Sequence, residues 1–400
     1  MLTFRLACFA NEHLAEVLLL DASGSMDGQK FRHARAAATV AVELLAPGTR
    51  FAVVAGTTEP RMVYPEHPGL ATADTRTRAE ASKALRRARS GGGTAIGSWL
   101  CRAADLLRDE PGIRHVTLLT DGRDQHESPE ALADAVESAV GVFECDCRGV
   151  GDDWSVSELR LIATRLLGTV DIVAEPDQLV ADFAAVAARV VGLRDAAVSL
   201  RVWTPSGVHV EVVEQVAPEV VALGARPGPD GPHSADYPTG AWGAQARSYQ
   251  LRLVMPPGEV GEEMLAARVS LVRDGDVVAQ SSVLAAWTDD LEMSTRMDPY
   301  VAHYTGQTQM SAATRDGLAA RRAGDMAAAA DRLGVARVLA QEAGNVDMVA
   351  LLDRIVEVED PVTGRVRLRG DATALDEMTL DTRSTRTTGL SQRPTPHAAI

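Results

Sequence analysis

Three short segments collect side chains of one chemical kind. Asp21-Ala22-Ser23-Gly24-Ser25 follows an apolar run, Gly91-Gly92-Gly93-Thr94 precedes a helical pattern, and Asp121-Gly122 closes a second apolar run. Together they offer two carboxylates and three hydroxyls. All are hard oxygen donors, the set that an octahedral Mg2+ or Mn2+ takes. Ca2+ suits the set less well, because few of these positions are able to give it both oxygens of a carboxylate. One Asp-Ser-Gly turn means little by itself, since such turns are common. The reading rests on three segments in order, each behind its proper element.

Catalysis is the competing chemistry. A strand ending in Asp-x-x-x-Ser resembles the start of haloacid-dehalogenase-type phosphatases, which need a second Asp two residues after the first to handle protons. Position 23 is Ser, so that general acid is missing. Ser25 directly follows Gly24, which is not the spacing of a G-x-S-x-G elbow. A Walker-type phosphate loop is also absent. The expectation is a protein that is not an enzyme.

The elements that must position these segments follow from periodicity. Apolar strands are expected at 15–20, 50–56, 113–120, 142–150 and 169–174, with amphipathic helical runs between them. Strands without polar alternation need cover on both faces, so 15–192 reads as an α/β, doubly wound, mostly parallel sheet. Such sheets hold ligands beyond the carboxyl ends of their strands, where all three segments fall. Met62-Val63-Tyr64 reads as a short edge strand. From 193 to 290 the period changes to two, which predicts a β-sandwich-like domain, with a Pro/Gly-rich loop at 226–239 and a hairpin turn at Asp274-Gly275-Asp276. A linker at 291–307, a helical hairpin with a third short helix at 308–355 and a β-hairpin at 356–370 complete the ordered part. Residues 371–400, poor in apolar groups and rich in Thr, Arg, Ser and Pro, read as a disordered tail.

Asp21, Ser23, Ser25, Thr94 and Asp121 fill the D-x-S-x-S, Thr, Asp pattern. With it the chain resembles a von Willebrand factor A domain carrying a complete metal-ion-dependent adhesion site. The resemblance implies that Ser23, Ser25 and Thr94 are hydroxyl ligands and that Asp21 and Asp121 balance the charge of the ion. It also implies that a carboxylate of a partner protein takes the remaining coordination position. YPTGAWG (237–243), MLAARVSLV (264–272), Gly324-Asp325 and DEMTLDTRSTRTT (376–388) extend the likeness to a bacterial, cytoplasmic family with a β-domain, a helical hairpin and a charged tail. Relatives carry a longer segment before the metal-binding domain, so 1–14 reads as a shortened strand segment that leaves the β-domain one strand short.

Around the metal segments, Arg123, Gln125 and His126 read either as rim contacts for the partner or as solvated loop residues, and Trp154 either as an exposed anchor or as a helix-docking Trp. His115 reads as a packed strand residue. In the tail, Thr379, Thr382, Thr385 and Thr387 read as candidate phosphosites for a Ser/Thr kinase, to be read by a phosphothreonine-binding protein. Two alternatives to a metal-dependent adaptor therefore stand: a scaffold acting through a phosphorylated tail, and an adaptor of an AAA+ chaperone or chelatase.

Composition narrows the partners. Acids outnumber Lys plus Arg by 55 to 40, a net charge of −15, which disfavours a nucleic-acid backbone. Lysine occurs only at positions 30 and 83. No stretch approaches the ~18 apolar residues of a membrane span, and the N-terminus lacks a signal-peptide layout, so a cytoplasmic protein is expected. The four cysteines are too few and too irregular for a disulfide framework and read as buried thiols.

Overall fold

The computed structural model describes residues 2–5, 13–360 and 364–389, with backbone alone for 2–5. The chain forms two compact units. One holds residues 7–196 with 240–244; the other holds 1–6, 197–239 and 245–400.

In order along the chain, the strands and helices of the first unit are β2 (Leu14–Asp21), α1 (Gln29–Leu44), β3 (Arg50–Gly56), β4 (Arg61–Tyr64) and β5 (Ala71–Thr72), preceded by β1 (Leu2–Arg5) of the second unit. Then come α2 (Thr75–Arg87), α3 (Ile96–Leu107), β6 (Ile113–Thr120), α4 (Pro129–Ala139), β7 (Glu144–Val150), α5 (Val156–Arg165), β8 (Val170–Val173) and α6 (Leu179–Val191). The sheet runs β4-β3-β2-β6-β7-β8, with β5 also on β3. Neighbours from β3 to β8 are parallel, whereas β4 and β5 join β3 antiparallel, so the fold is doubly wound with a mixed edge. Leu18 and Leu20 of β2 and Val53 of β3 share a core with Phe31, Ala34, Ala38 and Val42 of α1 and Phe183 of α6. The alanines of α1 let its backbone come close to the sheet.

His115 is packed as expected, but not apolarly. Its ring nitrogens lie 2.7 Å from Glu16 Oε2 and 3.2 Å from Asp146 Oδ2. Thr169, just before β8, gives Asp146 two further hydrogen bonds, Arg189 of α6 pairs with it, and Thr117 gives one bond to Glu16, so these buried carboxylates are satisfied. Cys145 and Cys147 are buried with their sulfurs 3.9 Å apart, while Cys101 is exposed, contrary to the expectation of a buried thiol; Cys8 lies outside the described residues.

The second unit contains most of two larger antiparallel sheets and a two-stranded antiparallel one. Its strands are β9 (Asp195–Trp203), β10 (His209–Ala217), β11 (Val221–Ala222), β12 (Arg226–Gly228), β13 (Gly231–Trp242), β14 (Ala246–Val254), β15 (Glu263–Arg273) and β16 (Asp276–Ala286). One sheet runs β1-β14-β10-β11 and the other β12-β13-β9-β15-β16. Three sequence expectations are corrected here. Residues 2–5 supply β1, paired Leu2 to Tyr249 through Arg5 to Ala246, so the β-domain does not lack its N-terminal strand. The Pro/Gly-rich stretch at 226–239 is a strand pair rather than a loop, because Gly231 makes the turn at a positive φ and the residues on either side pair antiparallel, Arg226 with Asp236 and Pro227 with Ala235. The supposed linker at 291–307 contains α7 (Leu291–Thr295) and the start of α8 (Pro299–Arg322), which Asp298 caps by accepting from Tyr300 and Val301.

After α8 come α9 (Met326–Glu342), α10 (Val346–Ile355), β17 (Val356–Asp360), β18 (Arg365–Leu368) and α11 (Ala374–Arg383). Met310, Leu333, Leu352, Val366 and Leu380 share one core. The tail is therefore not disordered from residue 371: α11 starts in a reciprocal cap between Thr373 and Asp376 and buries Leu380 completely. Residues beyond it are also tied down, with Thr388 N–H and C=O both bonded to the buried Gln307 amide. Residues 390–400, the remainder of that expected tail, lie outside the described residues. Among the described residues no helix is long and apolar enough to cross a membrane.

Candidate metal centre

β2 and β6 are adjacent and in register, Leu20 opposite Leu119, so Asp21 and the Thr120-Asp121 pair leave the sheet side by side at its carboxyl edge. The loop after β2 is held at both neighbours. Ala22 N–H donates to Gly56 C=O at the end of β3, Gly91 N–H donates to Ala22 C=O, and Gly24 N–H donates to Gly92 C=O. The glycine-rich segment is thus stitched backbone to backbone onto the Asp-x-Ser-x-Ser loop, which brings Thr94 to the same place.

The side chains form a connected oxygen cluster. Asp21 Oδ1 accepts from Ser23 N–H at 2.8 Å and its Oδ2 accepts from Thr120 Oγ1 at 2.6 Å. Ser23 and Ser25 hydroxyls are 2.9 Å apart, and Ser25 Oγ donates to Asp121 Oδ1 at 2.7 Å. Thr94 Oγ1 and Ser25 Oγ converge over Gly122, lying 3.4 and 3.7 Å from where a Cβ there would stand. Asp21, Ser23, Thr94 and Asp121 are buried, and Ser25 is the exposed member, so the cluster opens to solvent at that hydroxyl. Burial raises the Asp21 carboxyl above its ordinary range, aided by the nearby Asp121 and opposed by the hydrogen bonds from Ser23 and Thr120. Lys30 puts its ammonium 2.7 Å from Asp121 Oδ2.

This donor set fits a hard divalent cation: five oxygen-bearing side chains, two of them anionic, with a protein cation already drawn to one carboxylate. Among the described residues no three His, Cys, Asp or Glu side chains gather into a metal-holding group. The candidate centre is a hydroxyl-rich one, with three serine and threonine oxygens beside two carboxylates.

Of the expected rim residues, Arg123, Gln125 and His126 are exposed on the loop after β6. Gln125 N–H donates to Thr94 C=O, and His126 Nδ1 lies 3.3 Å from the same oxygen, so the loop is anchored to the threonine's backbone. Trp154 is not a rim residue. Its side chain is 1% exposed, lies on Gly149 at the end of β7, and donates its indole N–H to Gly151 C=O at 3.0 Å. The candidate phosphosites are also corrected in part. Thr379 and Thr382 are buried in α11, the first donating to Leu375 C=O, so neither is an accessible hydroxyl in an extended chain. Thr385 and Thr387 are half-buried and paired with 218–220: Val220 N–H donates to Thr385 C=O, and Thr387 N–H and hydroxyl both donate to Pro218 C=O.

Sequence reasoning missed four residues of the centre. Thr120 and Lys30 are bonded directly to the two aspartates. Asp124 and Glu127 occupy the amino end of α3, beside Thr94: Asp124 Oδ2 accepts from Ile96 N–H, and Glu127 accepts from Gly97 N–H, Ser98 N–H and Ser98 Oγ. Ala95 at the cap position has no such side chain, so two carboxylates from another loop satisfy the free amides. Burial first, then Glu127, pushes Asp124 up to about 6. A carboxyl raised on folding binds its proton more tightly in the folded chain, so its contribution to stability grows as pH falls from about 7 towards 5. In thermal melts, wild type should gain on Asp124→Asn between pH 7.5 and 5. An unchanged difference across that range would count against the raised carboxyl.

Comparison with known proteins places these features. The family model described as the von Willebrand factor type A domain matches residues 15–172, and that of the type A C-terminal domain matches 338–384. A solved von Willebrand factor type A structure from Catenulispora acidiphila is 44% identical, covers 95% of this chain and 91% of that one, and superposes with a TM-score of 0.91. The ArnB paralog VWA2 from Sulfolobus acidocaldarius is 14% identical over 96% of this chain and 90% of its own, with a TM-score of 0.54, a likeness of fold alone. The uncharacterized protein sll0103 from Synechocystis is 28% identical over 212 residues, 52% of this chain and 49% of that protein. The chain thus spans about half the length of the curated relative it matches.

Proposed function

The chain belongs to the von Willebrand factor type A family, and from that premise we propose a non-enzymatic, divalent-metal-dependent protein-binding module that captures an acidic side chain of a partner. One observation carries the reading: an oxygen-only cluster of Asp21, Ser23, Ser25, Thr94 and Asp121, buried except where Ser25 meets solvent. Mg2+ or Mn2+ is the ion these donors suit. When bound, the ion would supply a coordination position to a carboxylate oxygen of the partner.

The chain's own residues do the remaining work. Ser23, Ser25 and Thr94 would hold the ion through their hydroxyls, while Asp21 and Asp121 neutralise it. Thr120 and the Ser23 amide fix the Asp21 carboxylate, so that it does not turn away from the cluster. The carboxylates at the start of α3 and the bonds from Gln125 and His126 to Thr94 C=O hold the threonine's segment in place. Three hydroxyl donors leave the ion less neutralised than three carboxylates would, which favours an anionic group from outside. Arg123, Gln125 and His126, exposed beside the cluster, are the side chains placed to meet the partner's flank.

The test is Mn2+ titration combined with partner capture from native lysate, with and without EDTA, using wild type and Thr94→Ala. Thr94→Ala should weaken Mn2+ by at least about tenfold, the lower end of the loss seen when even an outer-shell partner of a ligand is removed. It should also release the same partner that EDTA releases. A partner indifferent to both would move the function to the second unit.

A further inference from the structure

Lys30 is explained neither by composition nor by its helix. It is one of two lysines in a chain whose other permanently cationic side chains are all arginine. It is the second residue of α1, a helix with no acidic residue in its first turn. A cation there opposes the helix dipole, which favours negative charge at the amino end. The group that accounts for it is Asp121, fully buried, whose Oδ2 accepts from Lys30 Nζ at 2.7 Å while Oδ1 accepts from Ser25. The Lys30 side chain keeps about a third of its surface exposed, and its ammonium shares Asp121 with Ser25, the exposed member of the cluster. Lysine is also the apt cation here. It is a compact point charge that binds one carboxylate oxygen, whereas a guanidinium forks across both and would contend with Ser25 for Oδ1.

We propose that Lys30 sets the net charge of the centre, giving up metal affinity to keep the loaded site attractive to a carboxylate. The inference rests on the metal-binding reading above. Two carboxylates and one ammonium leave the bare cluster with one negative charge, so a divalent ion brings it to one positive charge. Without Lys30 the bare cluster would carry two negative charges, and the same ion would bring it to neutrality. The ion would then bind more tightly and the incoming carboxylate more weakly. Both changes are Coulombic and opposite in sign, because Lys30 repels the one and attracts the other.

The experiment uses the full chain and two probes, Mn2+ alone and Mn2+ with acetate as the carboxylate. Mn2+ affinity is read by electron paramagnetic resonance in wild type, Lys30→Met and Lys30→Gln, with thermal melts to show that each variant is folded. Removing the ammonium should tighten Mn2+ about tenfold and reduce, by at least ~threefold, the factor by which acetate strengthens Mn2+ binding. The two neutral variants should agree, since charge rather than shape is at issue. Unchanged or weaker Mn2+ binding in both, or both affinities moving together, would overturn the proposal and leave Lys30 as a positioning residue for Asp121. If wild type itself bound no Mn2+, the metal reading would fall, and this inference with it.

Discussion

Asp121→Asn is expected to lower Mn2+ or Mg2+ affinity by at least ~100-fold while leaving the chain folded. The substitution keeps the size of the side chain and an oxygen to accept from Ser25, so the cluster's shape survives. Two electrostatic changes then act together. A negative charge is lost from the cluster, and the Lys30 ammonium loses its partner and faces the same space uncompensated. Unit charges ~4 Å apart interact by about 4 kcal/mol at an effective dielectric of 20, and a divalent ion doubles this, so the lost interaction exceeds the ~2.7 kcal/mol that a hundredfold change needs. Isothermal titration with Mg2+ measures it directly. The double variant Asp121→Asn with Lys30→Met should recover part of the loss, and the non-additivity reports the coupling between the two groups. A fall of less than threefold in the single variant would mean that Asp121 is not part of a metal centre.

The five oxygen-bearing residues were legible in the sequence because each is fixed by where a strand or helix ends. Asp21 and Asp121 close parallel strands in register, and no other element has to be known to place them at one edge. Lys30, Thr120, Asp124 and Glu127 were not legible, because their roles depend on which partner lies opposite. Lys30 in particular reads as one more surface charge at the start of a helix until the fold brings Asp121 above it. Its one advance signal was compositional: a lysine in a chain that otherwise uses arginine.

The same distinction separates the fold readings that held from those that failed. The alternation of apolar strands with amphipathic helices specifies a doubly wound sheet locally, since each strand run is too apolar to face water. Tertiary context decided the others. β1 gains its hydrogen bonds only by pairing with β14, more than two hundred residues away in sequence. α11 carries Leu375, Met378 and Leu380 among mostly polar neighbours, too little apolar surface to hold a ten-residue helix alone, and Leu380 is ordered by the core that α8, α9 and α10 provide. The Thr373-x-x-Asp376 cap was the sequence signal that would have found it.

Trp154 illustrates how a large aromatic near a site invites a functional reading, and it carries the largest expected effect on stability. Trp154→Ala should cost about 3–5 kcal/mol, the range for truncating a large buried aromatic. The ring is 1% exposed and lies so close to Gly149 that a Cβ there would collide with it, so β7 and the indole are shaped for one another. Gly149→Ala should therefore destabilise as well, because neither the strand nor the buried ring is able to move aside. Trp154→Phe, which keeps a ring but loses the 3.0 Å bond to Gly151 C=O, should cost less. Urea denaturation of the three variants gives the order, and Mn2+ titration separates stability from binding. The oxygen cluster is built on β2, β6 and the start of α3, with no member from β7, so metal affinity of the folded fraction should change by less than about threefold. A Trp154→Ala protein of unchanged stability that no longer captured the partner would restore the indole as a contact anchor. The buried geometry argues for the opposite result, with stability lost and the oxygen cluster intact.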